Sequence, residues 1–215
     1  MRRPVLVVLA LAVGASSAFH AAQRTLALRD IDDAIRLGQT RIEADRARFH
    51  APYRLPVNHA PVDYVDVITP YRRVVLAADE QARFGNRSFG QRQALELLNA
   101  AAGQFDVITE LTFHPLNTYV TMPAYEVALV KGGTRIAPAT LDRQPRFGAR
   151  VDGLPPAIPV PGGLVRTRGS QPMLGGTVIA RFAGDSVDAA GTQDLVISEQ
   201  GKDLARVRID LGGLR

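Results

Sequence analysis

The chain contains no cysteine and no tryptophan among its 215 residues. Without thiols it has no disulfide, no thiolate nucleophile and no thiolate metal site. A hydrophobic core must therefore stabilise the fold alone, and a chain of this length can bury roughly 70% of its unfolded surface. Aromatic residues are also scarce, at 6% of the sequence.

Lysine is nearly absent as well. Lys131 and Lys202 are the only two lysines, and arginine supplies the other 24 of the 26 basic residues. The formal net charge is +5 against 21 acidic residues. Because basic and acidic residues are balanced in both halves of the chain, the sequence lacks the electrostatic pattern of a nucleic-acid-binding protein. We expect no nucleic-acid partner.

Residues 1–18 have the pattern of a secretory signal peptide. Two arginines near the N-terminus precede an apolar run at 5–13, and small residues follow at 14–18, which predicts cleavage after the last of them. Only 16 residues separate Arg3 from His20, whereas a membrane-spanning helix needs about 20 apolar residues. We expect an exported protein, periplasmic or extracellular, with no transmembrane segment after cleavage.

The segment 19–103 is predicted to be mainly helical. Apolar residues recur at helical spacing over 30–49, with an interruption at Gly38. Four arginines lie in or just after this stretch: Arg41, Arg46, Arg48 and Arg54. They are typical either of contact with an anionic surface or of a solvated face with local ion pairs. The nearby Glu43 and Asp45 favour the solvated face.

Two further helices are predicted as an antiparallel pair. The first has Thr69 as its N-cap and Pro70 at its first helical position, and Gly85 closes it. The second is bounded in the same manner, with Ser88 before it in the N-cap role and Gly103 after it. A short turn between the two helices favours antiparallel packing.

The segment 104–215 has the pattern of an antiparallel β-sandwich of roughly seven strands. Apolar and polar residues alternate along several runs, beginning with 105–113, and glycine-containing turns at 132–133 and 199–202 predict hairpins. Residues 53–69 are also predicted to be extended. The predicted fold class is α+β, with an N-terminal helix pair packed on the C-terminal sandwich.

A proline- and glycine-rich loop is predicted at 144–176, where 6 Pro and 7 Gly occur among 33 residues. Loops of this length are uncommon in compact domains and often carry function. Arg146, Phe147, Arg166 and Arg168 are its candidate ligand-binding or partner-binding residues.

Metal binding is weakly indicated. The four histidines include no pair at the spacing of a zinc protease helix, and the aspartate clusters lack the spacing of a calcium loop. The best metal candidates are His50, His59, Asp63 and Asp66, which lie in or beside one extended segment. Because their spacing is so diffuse, surface or turn positions are the favoured interpretation of these residues, and we predict no cofactor.

Acyl transfer is the other enzymatic hypothesis. Ser170 with His114 is the candidate pair, but the serine lacks the Gly-x-Ser-x-Gly elbow of α/β-hydrolases. A catalytic triad can assemble from distant residues, so the pair stays an alternative. The chain also has no phosphate-binding loop motif.

Aromatic residues in the predicted strands offer a third possibility, a carbohydrate-binding face. The residues concerned are Phe113, Tyr119, Tyr125 and Phe147. Alternating aromatics in strands more often belong to the core, and the absence of tryptophan also argues against such a face.

The sequence favours a non-enzymatic binding or assembly protein of the bacterial cell envelope that contacts its ligand or partner through loops of the sandwich. The partner would be another envelope protein or a cell-wall component. The alternative is a periplasmic hydrolase or metal-dependent enzyme with a site assembled from dispersed His, Asp and Ser. A cleft that gathers two histidines and a carboxylate would favour the enzyme, and a flat apolar patch would favour the binding protein.

Overall fold

The structure is a computed structural model that describes residues 26–101, 103–117, 119–148, 172–184 and 191–215. It confirms the α+β class, with most helices in the N-terminal part and two antiparallel sheets. The helices are α1 (Leu28–Gly38), α2 (Glu43–His50), α3 (Pro70–Arg83) and α4 (Gln91–Ala100). The strands are β1 (Arg54–His59), β2 (Val62–Ile68), β3 (Gln104–Thr112), β4 (Tyr125–Lys131), β5 (Thr134–Ile136), β6 (Thr140–Phe147), β7 (Met173–Ala183), β8 (Thr192–Glu199) and β9 (Lys202–Asp210).

The two sheets form the predicted sandwich. Sheet A has the strand order β1-β2-β3-β7-β6 and sheet B the order β5-β4-β8-β9. The alternation along β3 turns Phe105, Val107 and Leu111 into the core, where they meet residues of sheet B such as Leu129 and Ile197. Seven of the nine strands in the described residues, β3 to β9, belong to the segment 104–215, as predicted, and the β1–β2 hairpin adds two more.

The helices have a core of their own. Ile31 and Ala34 of α1 are fully buried, as are Val74 and Val75 of α3. Gly38 allows the close approach of the two helices, since a Cβ there would lie 2.4 Å from the carbonyl oxygen of Val75. Phe49 packs against both the helical core and the sandwich core. The aromatic ring of this residue therefore joins the two parts.

Helix α3 has the predicted ends. The Thr69 hydroxyl accepts a hydrogen bond from the amide of Arg72 at 3.3 Å, Pro70 is the first helical residue, and Gly85 follows the helix with φ of +78°. This cap and the fixed φ of the proline set where α3 begins. The register of α3 in turn decides which side chains point away from the helical core.

The predicted start of α4 is wrong. The N-cap is Gly90 rather than Ser88, and the amide of Gly90 donates to the side-chain oxygen of Gln93 at 3.2 Å. Ser88 instead donates its hydroxyl to Asn86 at 2.6 Å. The serine side chain is held in the preceding turn and is not at the helix end.

Sheet A contains strands from both segments of the sequence. The β1–β2 hairpin turns at the cis Ala60–Pro61 bond, and β2 pairs with β3. Sheet A therefore combines β1 and β2, which precede residue 104, with β3, β7 and β6, which follow it. The hairpin also brings the end of α2 beside the start of α3.

The ends of the predicted loop at 144–176 belong to strands, because β6 extends to Phe147 and β7 begins at Met173. Pro145 is tolerated within β6 because that strand is an edge of sheet A. The rest of the loop and the leader at 1–18 lie outside the described residues. Within the residues that the structure describes, no helix is long and apolar enough to cross a membrane.

Candidate anion-binding site

A cavity of about 380 Å³ lies between α2, β1 and α3, within the usual range of about 300 to 1,000 Å³ for small-molecule sites. Its lining comes from two stretches of the chain, α2 up to the start of β1 and then α3, with β2 between them in the sequence. The lining residues are Ala47, His50, Ala51, Arg54, Arg72, Leu76, Asp79 and Arg83. No serine, threonine, tyrosine or lysine is among them, so the lining offers few groups able to act as a nucleophile.

Helix α3 supplies half of this lining from one face. Arg72, Leu76, Asp79 and Arg83 are spaced by four, three and four residues, which places them in a row along the helix. The neighbouring row, which includes Val74 and Val75, is buried against α1. Because the row with Val74 and Val75 packs against α1, the row with Arg72 and Asp79 faces the cavity.

The first charged group in the cavity centres on Arg72, of which 3% is exposed. One Nη atom of Arg72 donates to the carboxylate of Asp66 and to the carbonyl oxygen of Val67, the latter at 2.7 Å. The guanidinium of Arg54 contacts the other oxygen of Asp66 at 3.2 Å. The guanidinium carbon of Arg72 also lies 4.9 Å from the ring centre of Tyr53. We call Arg54, Arg72 and Asp66 the inner pole.

The second charged group centres on Asp79, which is 8% exposed. Arg46 lies 3.4 Å from one of its carboxylate oxygens and Arg83 lies 2.7 Å from the other. We call Arg46, Arg83 and Asp79 the outer pole. Each pole thus has two guanidinium groups around one buried carboxylate and carries one excess positive charge.

His50 lies beside the inner pole. Its Nδ1 accepts a hydrogen bond from Nε of Arg72 at 3.3 Å. Burial lowers the pKa of His50 below the ordinary 6.5, and the positive charge of Arg72 lowers it further. Asp79 and Asp66 oppose this shift, with smaller effects than burial and Arg72. The ring is therefore neutral at pH 7, and because Nδ1 accepts, the proton lies on Nε2.

The cavity therefore presents donors and positive charge. Both carboxylates are engaged by arginines, whereas the other Nη of Arg72 makes no hydrogen bond to any described residue. The lining holds three guanidinium groups, those of Arg54, Arg72 and Arg83, against one carboxylate, that of Asp79. Asp66 next to Arg72 and Glu43 near Arg83 offset part of this positive charge. Such a site favours an anion, since carboxylates and phosphates accept from several N–H groups at once.

The structure brings together two of the four metal candidates, His50 and Asp66, but through the guanidinium of Arg72 between them. Asp63 accepts from the hydroxyl of Thr112 at 2.6 Å, and His59 is the exposed last residue of β1. Among the described residues, no group of three or more His, Asp or Glu side chains is placed to hold a metal ion.

The other candidate residues lie away from the cavity. His114 is exposed, and its Nδ1 accepts from the amide of Leu116 at 3.2 Å. Arg146 pairs with Glu110 on the outer face of sheet A, and Phe147 is half exposed at the end of β6. Three more candidates, Ser170, Arg166 and Arg168, are outside the described residues.

The aromatic residues divide between core and surface. Phe113 and Tyr125 are buried in the sandwich core, as the core interpretation predicts. Tyr119 is partly exposed and packs edge-on against Phe113, with 5.0 Å between ring centres. Tyr125 and Phe113 stack at 6.2 Å. These rings support one another, and two of the four are inaccessible to a sugar.

Sequence reasoning missed Arg72, Asp79 and Arg83, which form the row on α3. The four-residue spacing of Asp79 and Arg83 was the local signal for an ion pair. Nothing local indicates that Arg46 and Arg54, two of the arginines interpreted as a solvated face, converge with this row. No family model matches the chain, and no curated protein or solved structure shows significant similarity to it.

Proposed function

We propose that this protein is a non-enzymatic binding protein whose ligand is a small organic anion held in the cavity between α2, β1 and α3. The observation that carries the proposal is the buried Arg72, which lines the cavity while keeping one Nη group without a partner among the described residues. This Nη group is not among the fully buried side-chain atoms that lack a partner in the described residues, so it is accessible from the cavity, where water or a ligand can accept its hydrogen bonds. An anion is the group best suited to do so.

The lining supports binding rather than hydrolysis. His50 is the one lining residue whose side chain could act as a general base near neutral pH, but its Nδ1 is engaged by Arg72. The proton on Nε2 makes it a donor to a ligand. Asp79 is engaged on both oxygens by arginines. These contacts suit His50 and Asp79 to anion binding rather than to activation of a nucleophile.

The location and the partner are part of the same proposal. The leader pattern at 1–18 supports export, and an exported protein would meet its ligand in the periplasm or outside the cell. Cell-wall components and envelope proteins carry carboxylate groups that fit the cavity chemically. We propose this contact at the cavity, at the helical end of the molecule, in place of the sandwich loops that the sequence favoured.

Thermal unfolding of the purified protein with and without hexanoate, benzoate and inorganic phosphate tests the proposal. A ligand at 100 times its Kd adds about 2.7 kcal/mol to stability, so a bound anion raises the Tm by several degrees. Arg54→Gln, which removes an exposed guanidinium at the cavity, should reduce this shift. The control Arg48→Gln removes the same charge from the outer side of α2, where the side chain is 83% exposed, and should retain it.

Equal shifts in the two variants would show a general effect of ionic strength and would contradict the cavity as the binding site. The absence of a shift with all anions in the wild-type protein would contradict anion binding itself.

A further inference from the structure

The two poles lie at opposite ends of the α3 row. Arg72 and Asp79 are seven residues apart, which corresponds to about 10 Å along a helix at 1.5 Å per residue. Arg83 follows one turn further on. The inner pole therefore surrounds one end of the cavity, and the outer pole surrounds the other.

The lining between the poles is apolar. Leu76 lies on α3 between Arg72 and Asp79, and Ala47 faces the cavity from α2. Neither side chain can hydrogen-bond to a ligand, and both favour contact with methylene groups. The cavity thus has positively charged side chains at both ends and apolar side chains between them.

We propose that the ligand is a linear molecule with an acid group at each end of a short apolar chain, such as an α,ω-dicarboxylate. One carboxylate accepts from Arg72, Arg54 and His50 Nε2 at the inner pole. The other accepts from Arg83 at the outer pole, while the methylene chain lies against Leu76. The guanidinium groups at the two ends of the cavity complement the two negative charges of this ligand. The inference rests on the proposed anion-binding function and adds the spacing of its charges.

Isothermal titration of adipate and hexanoate compares two ligands of equal chain length that differ in the second carboxylate. We expect adipate to bind about fivefold more tightly, a difference of about 1 kcal/mol that is typical of one partly exposed ion pair. Inorganic sulfate serves as a compact dianion. It should bind more weakly than adipate because it cannot reach both poles.

Arg83→Gln should bring the adipate and hexanoate affinities close to each other, and Arg83→Lys should keep a difference. Both variants should fold, because the Arg83 side chain is 70% exposed and Arg46 continues to pair with Asp79. Circular dichroism verifies this. Arg48→Gln is the matched control, in which the adipate preference should stay at its wild-type value.

The outcomes separate the two proposals. Equal affinity for adipate and hexanoate in the wild-type protein, or tighter binding of sulfate than of adipate, would overturn the two-pole inference and leave anion binding intact. An adipate preference that survives Arg83→Gln would overturn it too. Failure of all three anions to bind would overturn the proposed function.

Discussion

Nε of Arg72, on α3, donates a hydrogen bond to Nδ1 of His50, the last residue of α2, and the two nitrogen atoms are 3.3 Å apart. The two residues are 22 positions apart in the chain. Because Nδ1 is the acceptor, protonation of His50 would place an N–H opposite an N–H. The ionisation of this histidine is therefore linked to the packing of α2 on α3.

The linkage predicts that the protein loses stability in mild acid. The folded-state pKa of His50 lies below the unfolded value near 6.5, so the unfolded chain binds more protons in the range just below that value. Stability from this group is therefore fully present above the unfolded pKa and is lost as the pH falls from that value through the lower folded-state pKa. Urea unfolding from about pH 7.5 to about pH 5.5 measures the effect.

His50→Gln removes the titrating group and should flatten this part of the pH profile. His114→Gln is the control, and its profile should follow that of the wild-type protein. His114 is exposed and follows the end of β3 that pairs with Val62, whereas α3 begins after Ile68, at the other end of β2. If the wild-type and His50→Gln profiles have the same slope, the contact with Arg72 has no influence on the ionisation of His50.

Loss of Arg72 should destabilise the protein strongly. Arg72→Met removes a buried partner from Asp66 and leaves that carboxylate with Arg54 alone, and breaking a buried ion pair costs about 3 to 5 kcal/mol. Arg54 reduces this loss, so we expect about 3 kcal/mol at pH 7 by urea unfolding.

A double-mutant cycle with Asp66→Asn distinguishes the charge from the packing. With the carboxylate neutralised, Arg72→Met should cost less than it does in the wild-type background, because the buried uncompensated charge is gone. Additive costs would mean that Arg72 stabilises the fold through its contacts with Tyr53 and Val67 rather than through Asp66.

Gly38→Ala should destabilise the helical core, although helix propensity alone predicts the opposite. Alanine in a helix is favoured over glycine by about 0.5 to 1 kcal/mol. The new Cβ would lie 2.4 Å from the carbonyl oxygen of Val75 and 2.6 Å from the Cβ of Ala78, and overpacking of this kind costs about 1 to 3 kcal/mol. The sign of the change in unfolding free energy shows whether helix propensity or overpacking has the larger effect. A stabilised variant would contradict the close crossing of α1 and α3.

Local sequence determined most of the elements. Alternation along β3 and the glycines at 132, 133 and 201 predict strands and hairpins, and these turn glycines adopt positive φ in the structure. Thr69 and Pro70 predict the start of α3. These features depend on residues within a few positions of one another, because side-chain period, caps and left-handed turns are properties of short segments. Ser88 shows the limit, since a neighbouring Asn86 competes for the same hydroxyl.

Only the tertiary structure decided the site. In the sequence Arg46, Arg54 and Arg72 are separate arginines among many, and their carboxylate partners lie up to 33 positions away. The β1–β2 hairpin and the packing of α3 on α1 bring these charges to one cavity. Partial burial then lowers the pKa of His50, and the fold decides which donor of Arg72 keeps no protein partner among the described residues. A pattern of residue types carries no information about which distant charges line one cavity, and so the sequence predicted the fold class but not the candidate site.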